Sequence, residues 1–280
     1  MPGGNGDGLR SVVPDDEVGV RGIDTSVAHP ARIWDYFLDG KDNFAADRAV
    51  GDYILEATPV VKEVARADRA FLAKVVRHLA GDLGVRQFLD IGTGLPSADN
   101  THEVAQRVAP DARVVYVDND PIVLAHARAL LTSSPQGATA YIDADARDIP
   151  AILGSAAATL DFSKPTAVMM LGLLPFIPDA DNPRGLVTRL MDTLPPGSYL
   201  AISHVASDIQ AETSAKVSSR FQERSAMAPQ ARTQAEVAGF FDGLDLLAPG
   251  VVPIDHWQPG SQPTDQRETP LPAYAALGRK

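Results

Sequence analysis

The chain has 280 residues, an apolar share of 45% and a formal net charge of −11. That size supports one large domain or two small ones with a real core, and the acidic balance argues against a duplex-binding surface, which needs clustered Lys and Arg. The absence of cysteine excludes disulfides, thiolate nucleophiles and cysteine zinc sites.

The opening MPGGNGDGLRSVVPDDEVG is rich in Gly, Asp and Pro. Residues 1–25 therefore read as a disordered tail with no signal peptide. No segment approaches the roughly 20 apolar residues of a membrane helix, so a cytoplasmic protein is expected. Ile33, Trp34, Phe37 and Leu38 then fall at helical spacing up to Gly40. A second helix is expected over Ala45–Glu56. A third runs from Pro59 to Gly81, with Val60, Val64, Ala67, Phe71, Val75 and Leu79 on one side. Residues 26–81 are read as a helical lid, with Trp34 and Phe37 in its core, and residues 82–280 as the main domain.

In that second part short apolar runs alternate with helical stretches: QFLDI, RVVYVD, ATAYID, TAVMML and SYLAIS. The pattern predicts an α/β fold, a doubly wound, mostly parallel Rossmann-like sheet with helices on both faces. Asp120-Pro121 and Asp148-Ile-Pro150 suit helix starts, and Thr233-Gln-Ala-Glu236 is a capping box. The helix around 208–225 carries Glu212, Lys216, Arg220 and Glu223, most simply as a solvent face, with a border of the substrate pocket as the alternative. Two last strands lie in LDLLAPGVVPIDHW and AYAALGRK, the final one antiparallel as an insertion or at the edge, with a polar loop over 258–270 between them.

Ligands of such sheets bind outside the carboxyl ends of the strands, where strand order reverses. The first strand ends Asp90-Ile-Gly92-Thr93-Gly94, and the second ends at Asp118, about 26 residues after Gly92, where a ribose-binding acid belongs. Asp143 and Asp145 close the third. A dinucleotide needs its pyrophosphate on a helix N-terminus and a third glycine, but Ser97 stands in that place and Asp90 would repel the phosphates. S-adenosylmethionine reverses the argument: its ammonium and sulfonium are cationic, and with no phosphate to seat, Pro96 is tolerated. The six histidines are scattered, and His102-Glu103 has no second His at zincin spacing, so no metal is expected.

FLDIGTGLP, VVYVDNDP and YIDADARD together resemble the class I, Rossmann-like S-adenosylmethionine-dependent methyltransferases. More narrowly, ARIWDYFLDGKDNFAADR, FLDIGTGLP and VYVDNDPIVLAHARALL resemble an actinobacterial family of proposed methyltransferases long filed as a domain of unknown function. The resemblance implies that Asp90 and Gly92, Thr93 and Gly94 cradle the methionine end of the cofactor. It implies that Asp118 accepts the ribose hydroxyls, Asn119 flanks the adenine, Asp145 and the Ala146 N–H read its edge, and Leu171 and Gly172 lie beneath the sulfonium. In the lid, Lys41, Asn43 and Phe44 form a turn suited to closing over a ligand, or simply a capped interhelical turn. Tyr36 and Arg69 could reach the cofactor carboxylate, with a solvated helix face as the plain alternative for Arg69. His204, just past SYLAIS, is a candidate general base, against a hydrogen bond to the following loop. The expected activity is methyl transfer to a small-molecule acceptor, with neither nucleic acid nor membrane as partner. The competing readings are a non-catalytic sensor of the cofactor or its demethylated product, and, less favoured, an NAD-dependent oxidoreductase.

Overall fold

The computed structural model describes residues 24–96, 99–123, 125, 133–225, 227–261 and 269–280. The tail expected at 1–25 lies outside them except for its last two residues, as do Ser97 and much of the 258–270 loop.

Three helices come first: α1 (Pro30–Phe37), α2 (Ala45–Ala57) and α3 (Val61–Gly81). Strand β1 (Gln87–Ile91), α4 (Thr101–Val108), β2 (Arg113–Asp118), β3 (Ala138–Asp143), α5 (Ile149–Ala156) and β4 (Ala167–Leu171) follow. The chain continues through α6 (Pro183–Asp192), β5 (Tyr199–Val205), α7 (Ala211–Arg224) and α8 (Gln234–Ala238). It ends with β6 (Asp245–Leu246), β7 (Val252–Pro253) and β8 (Ala273–Arg279). The expected helix starts carry their caps. Asp148 accepts from the Ala151 N–H, and Thr233 and Glu236 form the reciprocal box.

The strands are ordered β3-β2-β1-β4-β5-β8-β6, with β1 to β5 parallel. Their near-continuous apolar runs follow from helices covering both faces. The final strand is antiparallel to β5, and it lies one place in from the edge, with the two-residue β6 outside it. Strand order reverses between β1 and β4, which opens a crevice at their carboxyl ends.

Alternation along each strand builds two cores. On one face Phe88, Val114 and Tyr116 pack with Val75, Val76 and Leu79 of α3; on the other, Leu89, Val115 and Val168 pack with Ile152, Leu186 and Leu190. Helix α3, grouped with the lid in the sequence reading, is thus a layer of the main core. A third cluster joins Ile33, Phe37, Val50, Ile54 and Val61 to Phe221 of α7. The polar face of α7 is tied down as well: Arg220 lies 4.0 Å from the Tyr53 ring, and the Tyr53 hydroxyl donates to Glu223 at 2.5 Å. Phe37 is in the core, whereas Trp34 is only half buried and faces the crevice.

Candidate functional site

The backbone leaves β1 through Gly92 (φ 74°) and Gly94 (φ 67°), and leaves β4 through Gly172 (φ 64°). These left-handed conformations favour glycine. A Cβ on Gly92 would lie 2.7 Å from the Leu173 side chain, so the two strand ends can approach only without one. A Cβ on Gly94 or Gly172 would meet no protein atom within 4 Å. Both residues line the cleft, so a side chain there would take up ligand space.

Asp118 is held at the end of β2 by the chain around it. Its Oδ2 accepts from the Gly94 N–H at 2.8 Å and its Oδ1 from the Asp120 N–H at 2.9 Å. Burial raises its pKa, and the two backbone donors oppose that. Asp90 accepts from the Thr101 hydroxyl at 2.6 Å, and burial pushes its carboxyl up to about 6. Gly92, Thr93, Gly94, Asn119, Asp145, Ala146, Leu171, Gly172 and Arg69 line the same cleft. The Asp145 carboxylate is taken on both oxygens by Arg147, at 2.9 and 2.6 Å, which lowers its pKa. Arg69 donates to the Asp99 carbonyl.

Five other candidates lie away from the cleft. The Tyr36 hydroxyl donates to Asp52 of α2, and Lys41 is exposed and does not line the cleft. Asn43 donates to Asp35 Oδ2 at 2.8 Å, and Phe44 packs with Leu95, Ile122 and Val123. Residues 40–44 wrap the Asp35 carboxylate, so closely that a Cβ on Gly40 would lie 2.0 Å from Asp35 Oδ1. The turn is an anchored connection, and it is Asp35 beneath it that reaches the cleft. His204 requires the firmest correction. It alternates with Leu200 and Ile202 onto the face opposite α3, 1% exposed and stacked on Phe240. Arg232 donates to its Nε2 at 2.8 Å, so Nδ1 carries the proton and donates to the Val205 carbonyl. Burial, with Arg232 adding to it, lowers its pKa to about 4. His204 is a neutral structural group.

Two further features of the site are not evident from the strand-end motifs. Asp68 of α3 lines the cleft and accepts from the Ser203 hydroxyl, which in turn accepts from the Gly172 N–H at 2.9 Å. Burial raises its pKa. The signal was there: Asp68 interrupts the apolar stripe of Val64, Phe71 and Val75. The second is a buried ion cluster that fixes α1 over the ends of the strands. Arg32 lies 3.7 Å from Asp47 and 3.5 Å from Asp120, and His29 lies 3.0 Å from Asp120. Asp47 also accepts from the His29 and Phe44 N–H groups. Pro30, Ala31 and Trp34 are thereby held as one wall of the cleft.

A family model described as S-adenosyl methyltransferase matches residues 16–280. The chain belongs to that family. This S-adenosyl methyltransferase family member is similar to a crystal structure of a DUF574 family protein from Streptomyces avermitilis, with 43% identity, 92% of this chain and 99% of that chain covered, and a TM-score of 0.87. A Thermobifida fusca protein proposed to be a methyltransferase gives 41% identity, 93% and 97% coverage, and 0.84. The resemblance to actinobacterial proposed methyltransferases is therefore borne out. An O-methyltransferase family protein from Burkholderia thailandensis shares the fold alone, at 16% identity, 78% and 59% coverage and 0.51. No curated protein matches the chain. Among the described residues no group of three or more His, Asp or Glu could hold a metal ion, and no helix is long and apolar enough to cross a membrane.

Proposed function

We propose that the chain binds S-adenosylmethionine in this cleft and catalyses transfer of its methyl group to a small-molecule acceptor. The observation that carries this reading is the pairing of a buried acid at the end of β2, locked to the Gly94 N–H, with Gly94 and Gly172, whose missing side chains leave the cleft open. When bound, the cofactor supplies a methyl group activated by a sulfonium leaving group. The chain's own task is alignment and exclusion of water. Asp118 would accept the ribose hydroxyls with the lone pairs its two backbone donors leave open. Asp90, with Asp68 nearby, would set negative charge near the ammonium and sulfonium. The turn through Gly92 and Gly94 would let the backbone approach the methionine end, and Trp34 on the anchored α1 would close the wall above. Asp145, engaged by Arg147, would present an acceptor edge to adenine beside the Ala146 N–H.

The test is calorimetric titration of the full chain with S-adenosylmethionine, S-adenosylhomocysteine and NAD, repeated on Asp118→Ala. Micromolar binding of the two sulfur nucleosides, weakened at least 30-fold in the variant (about 2 kcal/mol) and absent for NAD, is the expected result. Failure of both to bind the wild type sinks the reading.

A further inference from the structure

Beside the cleft lies a second, apolar chamber, closed by α1, the start of α3, the 3₁₀ turn after β4 and α7. Trp34, Phe37, Phe176 and Phe221 supply aromatic walls, and Val61, Val64 and Val217 fill in between them. Among the described residues none that lines it carries a charge. The two spaces touch: Pro30, Trp34, Gly172 and Phe176 line both. Along α3 the same helical face passes from one to the other, with Val61 and Val64 on the chamber and Asp68 and Leu72 on the cleft.

Thr58 is the decisive residue. It caps α2, where its N–H donates to the Ile54 carbonyl, and it is 2% exposed. Its hydroxyl is buried and has no hydrogen-bond partner, and Thr58 is among the residues that line the chamber. A buried hydroxyl left unpaired costs free energy, which a valine of the same shape would avoid. A partner arriving with a ligand removes that cost.

We propose that this chamber is the methyl-acceptor site, and that its occupant is an uncharged, ring-bearing small molecule offering one hydrogen-bonding group to Thr58. The inference rests on the cofactor reading of the adjoining cleft. The shared wall at Gly172 lets the acceptor's reactive atom face the cofactor while its apolar body stays in the chamber. For a hydroxyl acceptor, the oxygen lone pair forms the O–C bond as the C–S bond breaks. The sulfur keeps the bonding pair, and the hydroxyl proton passes to the Asp68 carboxylate, one turn beyond Val64.

The experiment uses the full chain saturated with S-adenosylhomocysteine and titrated with 2-naphthol, naphthalene and 2-naphthoate, followed by fluorescence. 2-Naphthol and naphthalene should bind, and the charged 2-naphthoate should bind at least tenfold more weakly. Thr58→Val should weaken 2-naphthol about fivefold and leave naphthalene within twofold. Thr213→Trp, which fills the chamber from α7, should weaken both tenfold or more while S-adenosylhomocysteine affinity stays within threefold. Val217→Trp repeats that block from the next turn should the first variant misfold. No 2-naphthol binding to the loaded wild type, equal binding of 2-naphthoate, or indifference to both tryptophan variants would overturn the chamber assignment. Failure of S-adenosylhomocysteine to bind would instead strike the cofactor reading, and the naphthol titrations on the unloaded chain would still judge the chamber.

Discussion

The cleft and the chamber share a wall but are built on opposite principles. The cleft gathers Asp68, Asp90 and Asp118 at strand ends and on α3, and keeps its floor open with glycines. The chamber has mostly aromatic and aliphatic walls, and Thr58 brings to it a buried hydroxyl without a partner. Placing carboxylates in a buried space raises their pKa values unless a cation arrives, so the cleft is strained toward a cationic ligand. The chamber instead loses apolar exposure when filled. One volume is specified by charge and backbone shape, the other by packing.

The largest effect should come from the wall common to both. Asp47→Ala takes away one of the two carboxylates beside Arg32 and leaves the His29 and Phe44 N–H groups without their acceptor, which should cost about 3–5 kcal/mol of stability in urea unfolding. A loss under 1 kcal/mol would mean that the ion cluster does not fix α1.

Next, Gly94→Val places a branched side chain in the cleft at positive φ. S-adenosylhomocysteine affinity should fall at least 100-fold, about 2.7 kcal/mol. Naphthalene binding in the chamber should change less than threefold. Equal loss of both would merge the two regions into one.

Asp90 sharpens the electrostatic half of the contrast. Its folded pKa of about 6 lies above the ordinary carboxylate value. Below about pH 4 both folded and unfolded states hold the proton. As pH rises toward 6 the unfolded chain loses it first, so stability falls through that window and levels off above it. A cationic ligand favours the ionised form, so S-adenosylmethionine affinity should weaken up to about tenfold between pH 7.5 and 5. Asp90→Asn should flatten both trends, and a variant that keeps the wild-type pH slope would show that another group titrates there.

The smallest functional effect is expected at His204. His204→Gln should cost about 1–2 kcal/mol of stability through lost stacking and bonding with Arg232. It should leave S-adenosylhomocysteine affinity within twofold and 2-naphthol affinity unchanged. A tenfold loss of either would restore His204 to the site.

Ser203 and His204 show where reading a sequence runs out. Adjacent strand residues point to opposite faces, so one of the pair had to face the cleft side, and the chain alone does not say which. Imidazole is the more chemically active of the two side chains, but α3 packs on the face that Ser203 occupies. An acid on a helix reads as solvated, and Asp68 becomes meaningful only where the helix crosses the crevice. The turn at 40–44 was ambiguous for the same reason: its polar groups close on Asp35, eight residues before Asn43.

By itself, the sequence determined the alternating strands, the caps at Asp148 and Thr233, the antiparallel last strand and the acid-and-glycine edge of the cleft. These are local properties, carried by side-chain period, backbone freedom and the last residues of each strand. Tertiary structure decided that α3 belongs to the core, that β8 slips inside β6, that His204 turns away, and that Thr58 is left without a partner beside an apolar space. Each depends on which distant surfaces meet, and the hydrophobic effect that brings them together is non-directional, so no short stretch of chain records the outcome.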